Sequence, residues 1–141
     1  VFISHRGPDT KTTFVDGLRR ELPGRRVFVD EYMDKGVDNW ATIKSTLDQA
    51  RVVVLVLSPG YHESPWCLEE MRLAFEAGKE TRVIFFNTTP GQVDKLNLKP
   101  ALRKAQQSSQ LACNQDLLSK WQAALAQAKT VVAWEYPLRV R

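Results

Sequence analysis

Histidine and cysteine are scarce in this chain. His5 and His62, Cys67 and Cys113 are all there is in 141 residues. A metal centre built on histidine, a zinc cluster and a Cys-x-x-Cys redox pair are therefore not expected. The two cysteines stand far apart and read as thiols rather than as a disulfide framework. Neither a Gly-x-x-x-x-Gly-Lys phosphate loop nor a Gly-x-Gly-x-x-Gly fingerprint is present. No apolar run approaches the roughly 18 residues of a membrane-spanning helix. The opening VFISHRGPDT has no charged leader before an apolar stretch, so no signal peptide is expected and a cytoplasmic location is.

What is present is an ordinary globular composition. Hydrophobic residues at 43% and charged residues at 26% argue against disorder, and 141 residues make one domain spanning 1–141. The net charge of +4 fits a solvated surface or a phosphate-bearing partner. Nucleic acid is the weaker partner, because Arg19-Arg20 and Arg25-Arg26 have no interleaved aromatic residues on which bases could stack.

The pattern alternates strands with helices. Val1–Ser4 and Val27–Asp30 read as strands. Between them Phe14, Leu18 and Leu22 form a helical stripe, capped by Asp9 or Thr10 and stopped at Pro23-Gly24. Trp40, Ile43, Leu47 and Ala50 form a second stripe. The six apolar residues Val52–Leu57 read as a strand buried on both faces. Ser64-Pro65 is a helix start, with serine as cap and proline at the first helical position, and that helix runs through Phe75 toward Gly78. Val83–Phe86 is a fourth strand, followed by a loop over Asn87–Leu98. Pro100–Ala105 reads as a short helix and Gln106–Gln115 as loop. Leu117, Leu118, Trp121, Leu125 and Ala128 make a last helix, and Thr130–Trp134 a fifth strand.

Such alternation implies a parallel α/β sheet with helices on both faces, and five strands favour the flavodoxin-like order 2-1-3-4-5. Ligands of such sheets bind beyond the carboxyl ends of the strands, where the order reverses. Here that point brings together His5–Lys11 and Ser58–Trp66, flanked by Glu31–Asn39. A phosphoacceptor receiver domain shares this topology but needs acids after strand one and an Asp after strand three. This chain has Ser4-His5-Arg6 and Ser58 there instead.

Three segments carry a family resemblance. Val1-Phe2-Ile3-Ser4-His5-Arg6-Gly7-Pro8-Asp9-Thr10 resembles the first box of the TIR (Toll/interleukin-1 receptor) domain. Val27-Phe28-Val29-Asp30 with the loop to Gly36 is similar to its second box and BB loop. Leu57 to Met71 is similar to the plant pattern Ser-x-x-Tyr-x-x-Ser-x-Trp-Cys-Leu-x-Glu-Leu, matched at every fixed position but the last, where Met71 stands for Leu. Gln92–Gln115 departs from the plant pattern.

The resemblance implies an enzyme of plant innate immunity that cleaves NAD+ at the nicotinamide–ribose bond, giving nicotinamide and linear or cyclic ADP-ribose. NADP+ is an alternative substrate, and no cofactor is implied. It also implies self-association, with a neighbour's BB loop, here Asp34, Lys35 and Gly36, completing the site. The alternative is a non-catalytic TIR scaffold that signals by homotypic contact. Two features favour the enzyme: an acid four residues after Trp66, and a BB loop without proline.

The chemistry can be checked against the residues. Nicotinamide is cationic in NAD+ and leaves neutral, so it needs no proton. The ribose carbon gains oxocarbenium character, which one carboxylate beside an aromatic wall can stabilise. Two neighbouring acids compete for that role. On a helical wheel Glu69 and Glu70 both lie about 130° from the core centre, on opposite flanks. Glu69 shares its flank with Arg72 and Glu76, which reads as a charged, solvated face. Glu70 shares its flank with Trp66, Leu73 and Ala77, and the family position also selects it as the catalytic acid. For substrate binding the candidates are His5 as a stacking ring, Arg6 for the pyrophosphate, Asp30 at the end of strand two, Ser58 for a ribose hydroxyl, and Trp66. Each also has a structural reading, as strand-end packing, surface, loop cap, turn and core respectively. Tyr61 reads as structural and the Cys67 thiol as buried and inert.

Overall fold

The computed structural model describes residues 1–6, 17, 20, 27–29, 40–93, 95–108, 111, 116–131 and 133–136, the last three by backbone alone. The elements, in chain order, are β1 (Phe2–Ser4), β2 (Phe28–Val29), α1 (Trp40–Gln49), β3 (Val52–Leu57), a 3₁₀ turn (Tyr61–Glu63), α2 (Pro65–Glu76), β4 (Glu80–Phe86), α3 (Pro90–Val93), α4 (Lys99–Gln107), α5 (Leu117–Ala128) and β5 (Ala133–Tyr136).

The sheet is parallel, and β2, β1, β3 and β4 lie side by side in that order, as the sequence pattern requires. The backbone of β5 pairs alongside β4. Register fixes the two faces. Phe2, Val53, Leu55, Leu57, Val83 and Phe85 point to one side, where they share a core with Ile43 and Leu47 of α1, Leu68 and Met71 of α2, Ala101 of α4 and Trp121 of α5. Ile3, Val29, Val56 and Phe86, offset by one residue, form a second cluster. Burying each large aliphatic side chain of this kind contributes about 1.5–3 kcal/mol. The first predicted helix lies outside the described residues apart from Gly17 and Arg20, both in helical conformation.

Helix α2 positions the site, and its ends are built as its sequence suggests. The Ser64 hydroxyl accepts from the Cys67 N–H at 3.3 Å and Pro65 occupies the first turn. At the other end Gly78 adopts φ +68°, Gly78 N–H donates to the Phe75 carbonyl, and Lys79 N–H reaches back to the Ala74 carbonyl, both at 3.1 Å. This pair of bonds is the Schellman arrangement, which satisfies carbonyls the helix would leave open.

Several predicted boundaries move, among them α4, which runs over Lys99–Gln107 rather than Pro100–Ala105 and takes in the start of the predicted Gln106–Gln115 loop. Strand β4 starts at Glu80 rather than Val83, because its register with β3 begins at Val52 opposite Glu80. One helical turn, α3, forms inside the predicted Asn87–Leu98 loop, where Gln92 Oε1 accepts from the Thr89 N–H at 2.9 Å. Strand β5 begins at Ala133 rather than Thr130, because Lys129 and Thr130 N–H groups still bond back to Ala126 and Gln127 at the end of α5.

Candidate functional site

Strand β1 ends at Ser4, beside β3, which ends at Leu57. The side chain of Ser4 lies on the face covered by α2 and is completely buried. One turn into α2 the Glu70 carboxyl meets it. Ser4 Oγ donates to Glu70 Oε1 at 2.6 Å. On its other side Ser4 Oγ lies 2.7 Å from Tyr61 Oη, which donates to the Cys67 carbonyl at 2.9 Å. Glu70 is only 1% exposed. Burial first, then the nearby Cys67 and Glu70, push the Tyr61 phenol well above its ordinary value, against the opposing Ser4 hydrogen bond.

The other described candidates lie on segments adjoining these elements in the chain. His5 is buried, and its carbonyl accepts from the Cys67 thiol at 3.5 Å. Arg6 is half-buried and lies 4.0 Å from the Glu63 carboxylate, a loose pair at the switch point. Ser58 is buried, and its carbonyl accepts from the Tyr61 N–H at 3.1 Å, so its backbone closes the turn that delivers Tyr61. Trp66 is half-buried and its ring packs against Trp40, with centroids 5.7 Å apart and planes inclined at 54°. Asp30, Asp34, Lys35 and Gly36 lie outside the described residues.

One expectation is overturned. Glu69 is not on a solvated face: it is 4% exposed. Its carboxylate is clasped by the Arg72 guanidinium and also accepts from the Trp121 indole N–H at 3.1 Å. The wheel gave its azimuth correctly, but α5 covers that flank. Burial pulls the Arg72 pKa down, and hydrogen bonds to Glu69 and Glu76 outweigh it, so the net direction is upward. Glu69 is thus a structural acid bridging α2 and α5, whereas Glu70 ends in a chain of hydroxyls at the carboxyl edge of the sheet.

Sequence reasoning missed Ser4, whereas Tyr61, read as structural, is buried with its hydroxyl bonded to the Cys67 carbonyl. The available signal was a serine ending a strand that is otherwise apolar, at a position facing the helix. Among the described residues, a cavity of about 360 Å³ lies elsewhere, at the amino ends of β1 and β2 between Phe2, Phe28, Thr46 and Gln49. No group of three or more His, Cys, Asp or Glu side chains suited to a metal ion occurs among them. No described helix is long and apolar enough to cross a membrane.

Comparison with known proteins shows the family and the fold. The family model described as "TIR domain" matches residues 1–129. Disease resistance-like protein DSC1 of Arabidopsis thaliana is 27% identical over 95% of this chain, which spans 12% of that protein. Disease resistance protein RUN1 of Vitis rotundifolia is 29% identical over 95% of the chain, which spans 10% of it. A protein of Brachypodium distachyon named probable 2' cyclic ADP-D-ribose synthase BdTIR is 32% identical over 96% of the chain and is spanned to 58% of its length. The TIR domains in the structure of the activated Roq1 resistosome, which directly recognizes the pathogen effector XopQ, superpose with a TM-score of 0.73. They are 26% identical, over 95% of this chain and 85% of the other.

Proposed function

The chain belongs to the TIR-domain family, and from that premise we propose that it cleaves the nicotinamide–ribose bond of NAD+, with Glu70 as the acid that stabilises the departing state. The observation that carries this reading is the placement of Glu70. A carboxyl that is 1% exposed, fixed by Ser4 at the carboxyl edge of a parallel sheet, occupies the region where such sheets bind ligands. As nicotinamide leaves with its bonding electrons, positive charge spreads over the anomeric carbon and ring oxygen. A preorganised carboxylate in a dry site stabilises that charge without solvent reorganisation. No group has to protonate the leaving ring, and no cofactor takes part.

The remaining assignments follow the same reading. Trp66, backed by Trp40, forms the aromatic wall. Arg6 exchanges its loose contact with Glu63 for the pyrophosphate, and Ser58, His5 and Asp30 contribute to the ribose and base subsites. Attack by water gives ADP-ribose, and attack by a ribose hydroxyl gives a cyclic product. NADP+ is the alternative substrate. The relative named a cyclic ADP-ribose synthase and the disease-resistance relatives support a signalling role in plant immunity. The likeness to TIR domains of a resistosome supports activity on self-association, with a neighbour's loop at Asp34, Lys35 and Gly36 completing the site. Residues 1–141 act as one TIR domain, in the cytoplasm.

The test is incubation with NAD+ and chromatography of the products. Wild type should release nicotinamide, and Glu70→Gln, which keeps shape and loses charge, should be slower by about 10²–10³. A concentrated, assembled wild type that releases none would overturn the proposal, and the homotypic scaffold would take its place.

A further inference from the structure

Three oxygen–oxygen contacts run in series through the buried end of β1. The Cys67 carbonyl is 2.9 Å from Tyr61 Oη, Tyr61 Oη is 2.7 Å from Ser4 Oγ, and Ser4 Oγ is 2.6 Å from Glu70 Oε1. All four residues are at most 2% exposed. Each hydroxyl carries one proton. If Glu70 is a carboxylate, Ser4 donates to it, and the single Tyr61 proton must serve both Ser4 and the Cys67 carbonyl. Two protons then cover three contacts. If Glu70 is the neutral acid, it donates to Ser4, Ser4 donates to Tyr61 and Tyr61 donates to the Cys67 carbonyl. Three protons then cover three contacts.

We propose that Ser4 is a positioning residue for Glu70, and that Ser4 and Tyr61 form a relay that sets the charge of the Glu70 carboxyl by opposing effects. The catalytic consequence rests on the NAD+ reading above; the proton inventory does not. Ser4 favours the carboxylate, because a hydroxyl bonded to a charged oxygen is stronger than one bonded to a neutral acid. Tyr61 favours the acid, because only in that state does the Ser4–Tyr61 contact have a proton of its own. Together they hold Oε1 in one place and set how much of Glu70 is already the carboxylate, the form that stabilises the developing positive charge, before the bond breaks; no proton moves in that step.

Among the described residues, titratable groups adjoin the relay on β1, the 3₁₀ turn and α2, where the neighbouring Glu69 is held by Arg72. The Tyr61 phenol, raised by its burial, stays neutral, and the buried Cys67 thiol points to the His5 carbonyl. Just after β1 come His5 and Arg6, and from the 3₁₀ turn come His62 and Glu63, with Arg6 and Glu63 loosely paired. Trp66 and Trp40 are uncharged. Both substitutions below leave these groups in place, Tyr61→Phe removing only its own phenol.

The experiment uses the full chain labelled with ¹³C at the glutamate side-chain carboxyls, with the Glu70 signal assigned by its loss in Glu70→Gln. Ser4→Ala should move the Glu70 titration midpoint upward and Tyr61→Phe should move it downward, each by about half a pH unit or more. Shifts of the same sign, or none, overturn the relay; a purely packing role predicts no such opposition. If Ser4→Ala does not fold, Tyr61→Phe decides alone, and an unchanged or raised midpoint overturns it. In nicotinamide release, Ser4→Ala should lower kcat about tenfold with KM within about twofold, and Ser4→Thr should restore most of it. A raised KM with kcat unchanged overturns the positioning role. If wild type releases no nicotinamide, only the NAD+ reading falls, and the carboxyl titration still decides the relay.

Discussion

The indole N–H of Trp121 donates to Glu69 Oε1 at 3.1 Å, joining α5 to α2 across 52 residues of sequence. The neighbouring glutamate, Glu70, turns to Ser4 instead. Two adjacent acids on one helix thus face different elements, one a helix and the other the end of a strand. That division can be measured.

Glu69→Ala should destabilise the fold by roughly 1–3 kcal/mol, because it leaves the fully buried Trp121 N–H without its acceptor and Arg72 without its closest partner. An exposed acid of the kind the sequence suggested would cost only a few tenths. Glu69→Gln keeps an oxygen for Trp121 and should lie between. Urea denaturation checks both, and an alanine variant within about 0.5 kcal/mol of wild type would refute the bridge. In folded Glu69→Gln, nicotinamide release should stay near wild type, in contrast to Glu70→Gln.

How far the sequence could be read depended on how local the determining contact is. Helix α2 was legible at both ends, since Ser64, Pro65 and Gly78 act through their own backbone neighbourhood. The strand order was legible because alternating elements admit few parallel topologies. The environment of Glu69 was not, because a helical wheel gives direction but not what lies there, and Trp121 arrives from α5. The Ser4–Tyr61–Glu70 line was hidden for the same reason. Its members sit on three elements, and only the register of β1 against β3 and the fold of the 3₁₀ turn bring them within 3 Å. The α3 turn escaped because one side chain, Gln92, organises it rather than any hydrophobic period.

Gly78→Ala tests the end of α2 separately from its core. A Cβ at this position would meet nothing within 4 Å, so the cost comes from the φ of +68° alone. We expect about 1 kcal/mol of destabilisation with no loss of nicotinamide release beyond the unfolded fraction. Thermal denaturation should show a lower midpoint of a few degrees. An unchanged or raised midpoint would contradict the left-handed cap.

The buried phenol predicts a pH dependence whose sign can be worked out. Tyr61 has a folded pKa above the ordinary 10.0, so between the two values the unfolded chain has lost a proton that the folded chain retains. Stability therefore falls as pH rises above about 10, by at most about 1.4 kcal/mol per pH unit from this one group. Below the ordinary value the contribution is intact. Denaturation midpoints of wild type and Tyr61→Phe, followed from pH 8 to pH 11, should converge at the alkaline end relative to their separation at pH 8. A constant separation would show that Tyr61 titrates freely in the folded state.

The last prediction follows from the burial of the acid itself. In a single chain Glu70 is 1% exposed, so a substrate carbon cannot reach it without movement of what covers it. A neighbouring copy that binds the open arrangement more tightly would shift that equilibrium by mass action. Specific activity should therefore rise with protein concentration or with crowding, and dilute monomer should be nearly inactive. The measurement is nicotinamide release across a hundredfold range of concentration, with light scattering to follow mass. A rise in activity that tracks the appearance of oligomer is expected. Constant specific activity in a preparation that remains monomeric throughout would mean that the isolated chain opens by itself, and would remove assembly from the mechanism while leaving Glu70 in it.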